Sequence, residues 1–453
     1  MKILIAGASG FIGNKLLKKL VERNHKIVVL TRSLESSAFH VPISCETYKW
    51  NPETGEIPEQ AFEDVGAVIN LSGENIASGR WSSKRKAAIE SSRVLSVQNL
   101  VSAMKNLDRK PQVFISASAI GFYGDRGEDE LDEKALPGSD FLSKTCQNWE
   151  KEIFKAESLG IRTVALRIGM VVGYDGGALK KMLPPFQMGV GGKLGDGKNW
   201  MSWIHIEDLT EMFIYALNVK SLSGPVNAVS PTPETNKRFT KIFGKVLKRP
   251  TIFSVPAVIL KIAIGELSSL LLSSQKVTAK KIIQSGFSFK FSDLENALGE
   301  VCSHKYHEIH LEQWIDQPIE KTYSFFKDAK NLEQLTPDFL HFRVLNQSSK
   351  EIEEGTKINY FLWLRWIPIW WQSKIIDWKP NQSFSDTQVH GPYSYWLHVH
   401  EFAELNGGTL IRDKISYKMP CGVPGDVISD FFIKKDLEQI FSYRKKKVAE
   451  IFK

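Results

Sequence analysis

Three glycines open the chain at a spacing suited to anion binding. Gly7-Ala8-Ser9-Gly10-Phe11-Ile12-Gly13 follows a short apolar run, Ile3-Leu4-Ile5-Ala6. Glycines let backbone amides approach a pyrophosphate, and a helix N-terminus adds unpaired N–H groups and a favourable dipole. The spacing is G-x-x-G-x-x-G, and its setting in a strand, turn and helix gives it weight. Gly7, Gly10, Phe11, Ile12 and Gly13 are therefore candidate contacts for a dinucleotide diphosphate. A second cluster, Thr31-Arg32-Ser33, ends the next apolar run. An acidic residue at such a strand end bonds a ribose 2′-hydroxyl, whereas an arginine accommodates a 2′-phosphate. Thr31 and Ser33 add hydroxyls, and no carboxylate repels a phosphate. The expected cofactor is NADP rather than NAD.

These residues need a parallel sheet to position them. Residues 3–6 read as a strand buried on both faces. Residues 14–23 read as a helix with Leu16, Leu17, Leu20 and Val21 at helical spacing. Residues 26–30 form the second strand and 67–71 the next. Leu71, Ser72 and Gly73 then lie at a strand's carboxyl end, where open parallel sheets bind ligands. A helix over about 83–106 precedes a strand at 113–118, which ends in hydroxyls. A helix carrying Lys144 falls within 138–159, and a strand within 163–168. A glycine-rich loop runs to Gly197, and Trp203-Ile204-His205-Ile206-Glu207-Asp208 reads as a strand entering a capped helix, with His205 beside the cap. Strands alternating with helices predict an α/β, Rossmann-like, doubly wound parallel sheet.

Composition narrows the partners. The chain has 453 residues, enough for two or three domains. Its net charge of +8 falls within residues 1–300, because residues 301–453 carry equal numbers of each sign. That places the excess beside the expected anionic cofactor. No dense basic arm is present, so nucleic acid is not the expected partner. Cys45, Cys146, Cys302 and Cys421 are far apart, which suits a reducing compartment. The N-terminal apolar run is too short for a signal peptide, and a cytoplasmic location is expected. The most apolar segment, 255–272, is broken by Pro256, Lys261 and Glu266 and reads as an amphipathic helix on a core rather than a membrane span.

The first 300 residues or so resemble an extended short-chain dehydrogenase/reductase. More narrowly they resemble its atypical branch of "epimerase family proteins", which are similar to NAD-dependent epimerase/dehydratases. Gly7, Gly10 and Gly13, Asn70-Leu71-Ser72-Gly73-Glu74-Asn75, Arg167-Ile168-Gly169 and Trp203 through Asp208 carry the resemblance. Residues 254–289 match that branch's C-terminal segment. The resemblance implies NADP contacts from Thr31, Arg32, Glu74 and Arg80. It also implies a Ser, a Tyr and a Lys as catalytic groups, with the Tyr moving a proton while nicotinamide exchanges a hydride. Ser118 fits the Ser, with Ser116 as its rival, and Lys144 fits the Lys and would also hold the cofactor ribose. The Tyr belongs four residues before the Lys, where the chain has Asp140. An aspartate is normally ionised near neutral pH and has no proton to give. Tyr123 is the nearest aromatic hydroxyl and stands as the substitute acid.

The pattern changes after about residue 302. A strand at 307–315, a helix at 318–326, six further strands at 342–345, 357–364, 371–378, 384–390, 395–404 and 409–417, and a helix over about 425–452 follow. Asn406-Gly407-Gly408 is a hairpin turn. This order resembles the SRPBCC or START-like helix-grip fold, which implies an apolar cavity and a hydrophobic ligand over 307–453. Trp363, Trp366, Ile367, Pro368, Ile369, Trp370 and Trp371 read as an aromatic loop, either the mouth of such a cavity or a membrane-touching tip, or else as core filling. His398 and His400 share a strand face with Trp396 and read as core histidines. Cys302, His304, His307 and His310 have metal-ligand spacing. They fall in a connector and a strand where only alternate residues share a face, so no metal is expected. Two functions remain. One is an NADP-dependent oxidoreductase or epimerase-like enzyme acting on a small molecule, fused to a hydrophobic-ligand domain. The other is a non-catalytic, NADP-responsive binding or regulatory protein.

Overall fold

A computed structural model of the chain describes residues 1–34, 41–42, 44–174, 176–303, 306–364, 367–405, 407–420 and 433–452. His304, Trp366, Asn406, Cys421 and the expected helix start at 425–432 lie outside the described residues. The described residues divide into two compact units, the first within 1–34 and 44–303 and the second within 41–42 and 306–452.

The first unit is built on seven parallel strands. Their order is Gly224–Ala228, Arg162–Ile168, Val113–Ala119, Val65–Asn70, Lys2–Ala6, Lys26–Thr31 and Glu46–Lys49. Ile3, Leu4 and Ile5 have no exposed surface, as expected of a strand covered on both faces. The strand order reverses between Lys2–Ala6 and Val65–Asn70, and the carboxyl ends there frame a crevice. The expected doubly wound sheet is therefore present.

Two local expectations are corrected, and a third is met. The glycine-rich stretch before Gly197 contains a helix, Gly177–Gln187, because Leu179 and Phe186 share a face that is buried against Phe243 and its neighbours. The segment 255–272 is not one helix on a core. Gly265, at φ +62°, separates Ala257–Ile264 from Ser269–Leu272, and Val258, Ile259 and Ile262 are exposed. The Lys144 helix spans Phe141–Ile153 and continues as a 3-10 turn, Phe154–Leu159. Among the described residues no helix is long and apolar enough to cross a membrane.

The second unit is a seven-stranded antiparallel sheet with helices. Strand His307–Ile315 pairs with Gly408–Lys418, and the sheet then runs back through Tyr395–Leu405, Ser383–His390, Ile367–Lys379 and Lys357–Leu364 to Arg343–Gln347. Helix Lys434–Ile451 supplies Leu437 and Phe441 to a cluster with Tyr393, Trp396, Ile415 and Tyr417. The expected aromatic loop is instead the facing ends of two paired strands, with Trp363 opposite Pro368 and Tyr360 opposite Trp371. Alternation sends Trp371 inward onto Trp396 at 4.9 Å and leaves Trp370 exposed, while Ile367 is exposed at the start of its strand. Leu311, Phe326, Ile411, Asp413, Phe441 and Arg444 line a cavity of about 20 Å³, room for one water.

Candidate functional site

The opening turn is held by close backbone packing. Gly7 has φ +84°, and a Cβ there would fall 2.7 Å from the Leu71 carbonyl carbon. A Cβ on Gly13 would fall 2.2 Å from the Gly7 carbonyl oxygen. Real contacts are never that short, so both positions need glycine for turn closure and for helix–strand approach. Helix Phe11–Glu22 starts at Gly10, and no side chain caps it. Its first amides are therefore free for an anion in the crevice. The Phe11 ring is used elsewhere. A Cβ on Gly173 or Gly176 would fall 2.6 or 2.5 Å from it, so the ring seats the 173–177 segment on the turn.

The second strand end is also prepared. The Thr31 hydroxyl donates to the Ser33 carbonyl at 3.1 Å and accepts the Ser33 amide at 3.3 Å. This turn projects Arg32, which is exposed and has no side-chain partner among the described residues. Across the crevice, Leu71 donates its amide to Ala6, and the Asn70 side chain accepts the Ser72 amide at 3.1 Å. Gly73 packs against Arg93, where a Cβ would lie 3.3 Å from the guanidinium carbon.

Two residues assigned to the cofactor by resemblance have other partners. Glu74 pairs with Arg85 at 2.7 Å, and its carbonyl accepts from Arg93 at 3.0 Å. Arg80 donates to the carbonyls of Ile262 and Ala263, at 3.1 and 2.8 Å, and so caps helix Ala257–Ile264. Its side chain remains exposed.

Two of the three expected catalytic side chains, Ser118 and Tyr123, are linked through a buried network, and Lys144 lies outside it. The Ser118 hydroxyl donates to Glu150 at 2.6 Å. Glu150 also takes a two-pronged pair from Arg167, at 2.8 and 2.7 Å. Arg167 donates a further bond to the Tyr123 hydroxyl at 3.0 Å, and Tyr123 donates to Asn227 at 2.6 Å. Tyr123 is fully buried, and burial pushes its pKa up to about 12 despite the neighbouring Arg167. Burial opposes the Arg167 charge too, but Glu150 outweighs it and raises the pKa further. The Tyr123 proton is thus held in a buried hydrogen bond to Asn227. Lys144 is exposed on its helix and joins none of these bonds. The rival serine, Ser116, accepts from Asn70 at 3.2 Å in the buried sheet.

The residue in the Tyr position has a simple role. Asp140 is the N-cap of helix Phe141–Ile153, and its carboxylate accepts the Ser143 amide at 2.8 Å and the Ser143 hydroxyl at 3.0 Å. It stands before the helix rather than on the Lys144 face. His205 caps helix Ile206–Asn218 in the same way, accepting the Glu207 amide at 3.2 Å, and burial lowers its pKa. A buried bond that sequence reading missed joins Asp208 to the amides of Lys290 and Phe291, at 2.7 and 2.9 Å.

Comparison with known proteins covers the first unit. A family profile described as "NAD dependent epimerase/dehydratase family" matches residues 3–228, and a "domain of unknown function (DUF1731)" matches residues 255–301. "Epimerase family protein YfhF" of Bacillus subtilis is 38% identical over 305 residues, spanning 67% of this chain and 98% of that protein. "Epimerase family protein SDR39U1 homolog, chloroplastic" of Arabidopsis thaliana is 36% identical over 307 residues, spanning 66% of this chain and 86% of that protein. A crystal structure of human epimerase family protein SDR39U1 (isoform 2) with NADPH superimposes with a TM-score of 0.60 and 29% identity, covering 67% of this chain and all of that one. A UDP-glucose 4-epimerase from Thermus thermophilus, at 19% identity and a TM-score of 0.55, shares the fold.

Proposed function

The chain belongs, over its first two thirds, to the epimerase family, and from that premise we propose that its first unit is an NADP(H)-binding module. The observation that carries this reading is the pairing of an uncapped glycine turn with the exposed, unpartnered Arg32. The diphosphate lies against the amides of the turn, and Arg32 with the Thr31–Ser33 turn takes the adenosine 2′-phosphate. Both glycine positions that a Cβ would fill support this fit, as does the NADPH in the human relative's crystal structure.

Bound NADP(H) supplies hydride chemistry at its nicotinamide. Here Ser118 and Tyr123 hold the sheet and the 120–133 segment together, and Lys144 is free in solvent. A reaction at this crevice therefore draws its proton from a group other than Tyr123. The closed bonds of Ser118 and Tyr123 favour the second reading, a protein that binds the dinucleotide without alcohol–ketone turnover. In the second unit, the element order and the terminal helix packed on the sheet support a helix-grip scaffold.

Calorimetric titration of the whole chain with NADPH and NADH tests the cofactor reading. Arg32→Ala should weaken NADPH by about tenfold to a hundredfold, the loss of one charge-assisted phosphate contact, and leave NADH nearly unchanged. Equal loss of both dinucleotides overturns it, as does the absence of binding in the unaltered protein.

A further inference from the structure

The second unit buries a group of side chains that the crevice of the first does not use. Strands Ser383–His390, Tyr395–Leu405 and Gly408–Lys418 are neighbours, and their register sets Asp386 opposite His398 and His400 opposite Asp413. Residues two apart share a strand face, so His398 and His400 project together, and their ring centres are 3.9 Å apart. They are only 5% and 4% exposed. Each imidazole meets both carboxylates, through opposite nitrogens. Asp413 Oδ1 lies 3.0 Å from His398 Nε2 and 2.7 Å from His400 Nδ1. Asp386 Oδ2 lies 3.4 Å from His398 Nδ1 and 3.7 Å from His400 Nε2.

The two sets of distances differ in kind. Those to Asp413 are contacts of hydrogen-bond length, although His400 Nδ1 is not aligned for a hydrogen bond. Those to Asp386 are too long for good hydrogen bonds. They match two atoms held by one cation, because tetrahedral bonds of about 2.0–2.1 Å place neighbouring ligands about 3.3–3.4 Å apart. One ligand atom from each of Asp386, His398 and His400 lies within 4.8 Å of the other two. The surroundings suit such a site. A metal-bound imidazole usually gives its other nitrogen to a carboxylate, and Asp413 stands at that place for both rings. Trp396 Nε1 donates to the remaining Asp386 oxygen at 3.2 Å and fixes its plane.

We propose that Asp386, His398 and His400 bind a divalent first-row transition cation, with Asp413 orienting both imidazoles. Two histidines and one carboxylate form a three-ligand set that leaves a coordination position open, as in zinc(II) or iron(II) sites that act on a bound molecule.

The test uses the full chain, stripped with chelator and titrated with cobalt(II) and zinc(II). Saturable uptake of one equivalent is expected, with a visible cobalt spectrum of low-coordinate type. Asp386→Asn should weaken uptake at least a hundredfold, and Asp413→Asn about tenfold to a hundredfold. His310→Gln, on the exposed end of the same unit, should change nothing. Lack of saturable uptake by the unaltered chain overturns the proposal, and so does wild-type affinity in Asp386→Asn. X-ray absorption of the zinc-loaded, unaltered chain needs no variant. Two imidazoles in a shell of nitrogen and oxygen support the site, and a sulfur ligand or fewer than two imidazoles overturns it.

Discussion

Each unit sets an arginine near buried carboxylates of a sheet, and the two arrangements end differently. In the first, Arg167 spends its donors on Glu150, Tyr123 and the Glu133 carbonyl, and its guanidinium lies 3.6 Å from the centre of the Phe122 ring. Ser118 and Asn227 close the ends of the chain of bonds. Four of the five guanidinium N–H donors are engaged in this way. In the second, the carboxylates of Asp386 and Asp413 share two histidines at unequal distances, close to Asp413 and longer to Asp386, where the contacts exceed good hydrogen-bond length. Buried polar groups are costly unless paired, so a saturated network is a structural element and an unsaturated one invites an occupant. Residue type alone suggests the opposite assignment. Ser118 and Tyr123 look like chemistry, and two histidines on a strand look like core.

The sharpest way to break this contrast is to remove an arginine. Arg167→Met leaves Glu150 buried without its partner, since both side chains are at most 6% exposed. The expected cost is about 3–5 kcal/mol, read as a fall in the denaturant midpoint of the first unit. Arg444→Met should cost less, because Arg444 is only half-buried and part of its donor set is already unused. Equal losses would mean that the second network is as closed as the first. Tyr123→Phe is expected to be milder. It strips a donor from Asn227 and an acceptor from Arg167, for a loss of about 1–3 kcal/mol in stability. NADPH affinity should be unchanged. A variant with normal stability and abolished turnover would return Tyr123 to catalysis.

Local patterns made much of the first unit legible. The apolar run, the glycines and the helix at 1–23 are adjacent in sequence, and their physics is short-range. The same holds for Thr31-Arg32-Ser33. What could not be read depends on distant pairing. Arg80 finds its partners more than 180 residues away, at the end of helix Ala257–Ile264. The pairing of Met170–Val172 with Trp203–His205, and of Gly192–Leu194 with Phe253–Val255, likewise joins segments that carry no shared signal. In the second unit, period-two alternation puts His398 and His400 on one face. The strand register that sets Asp386 and Asp413 opposite them is a property of three strands at once. Phe11 shows a different limit. Its place in the turn is local, but its ring is used by Gly173 and Gly176.

The smallest effect concerns Asp140, which stands at the edge of the first network, and it separates a spacing argument from a capping one. Counting back four residues from Lys144 assumes that both positions lie on one helix face. The helix begins at Phe141, so the count reaches the residue before it, where a carboxylate satisfies an amide that the helix cannot. The sequence held this signal, an aspartate directly before the first helical residues, with Ser143 three residues on. Asp140→Ala should therefore lower stability by about 1 kcal/mol, and Asp140→Asn or Asp140→Ser should restore most of it, because each keeps an acceptor at the cap. Thermal melts of the three variants measure this directly. Dinucleotide affinity should stay constant across the series. A carboxylate with a chemical role would behave otherwise: asparagine and serine would fail like alanine, and the melts would not track the loss. That outcome would place reactive chemistry next to the closed network and remove the distinction between the two units.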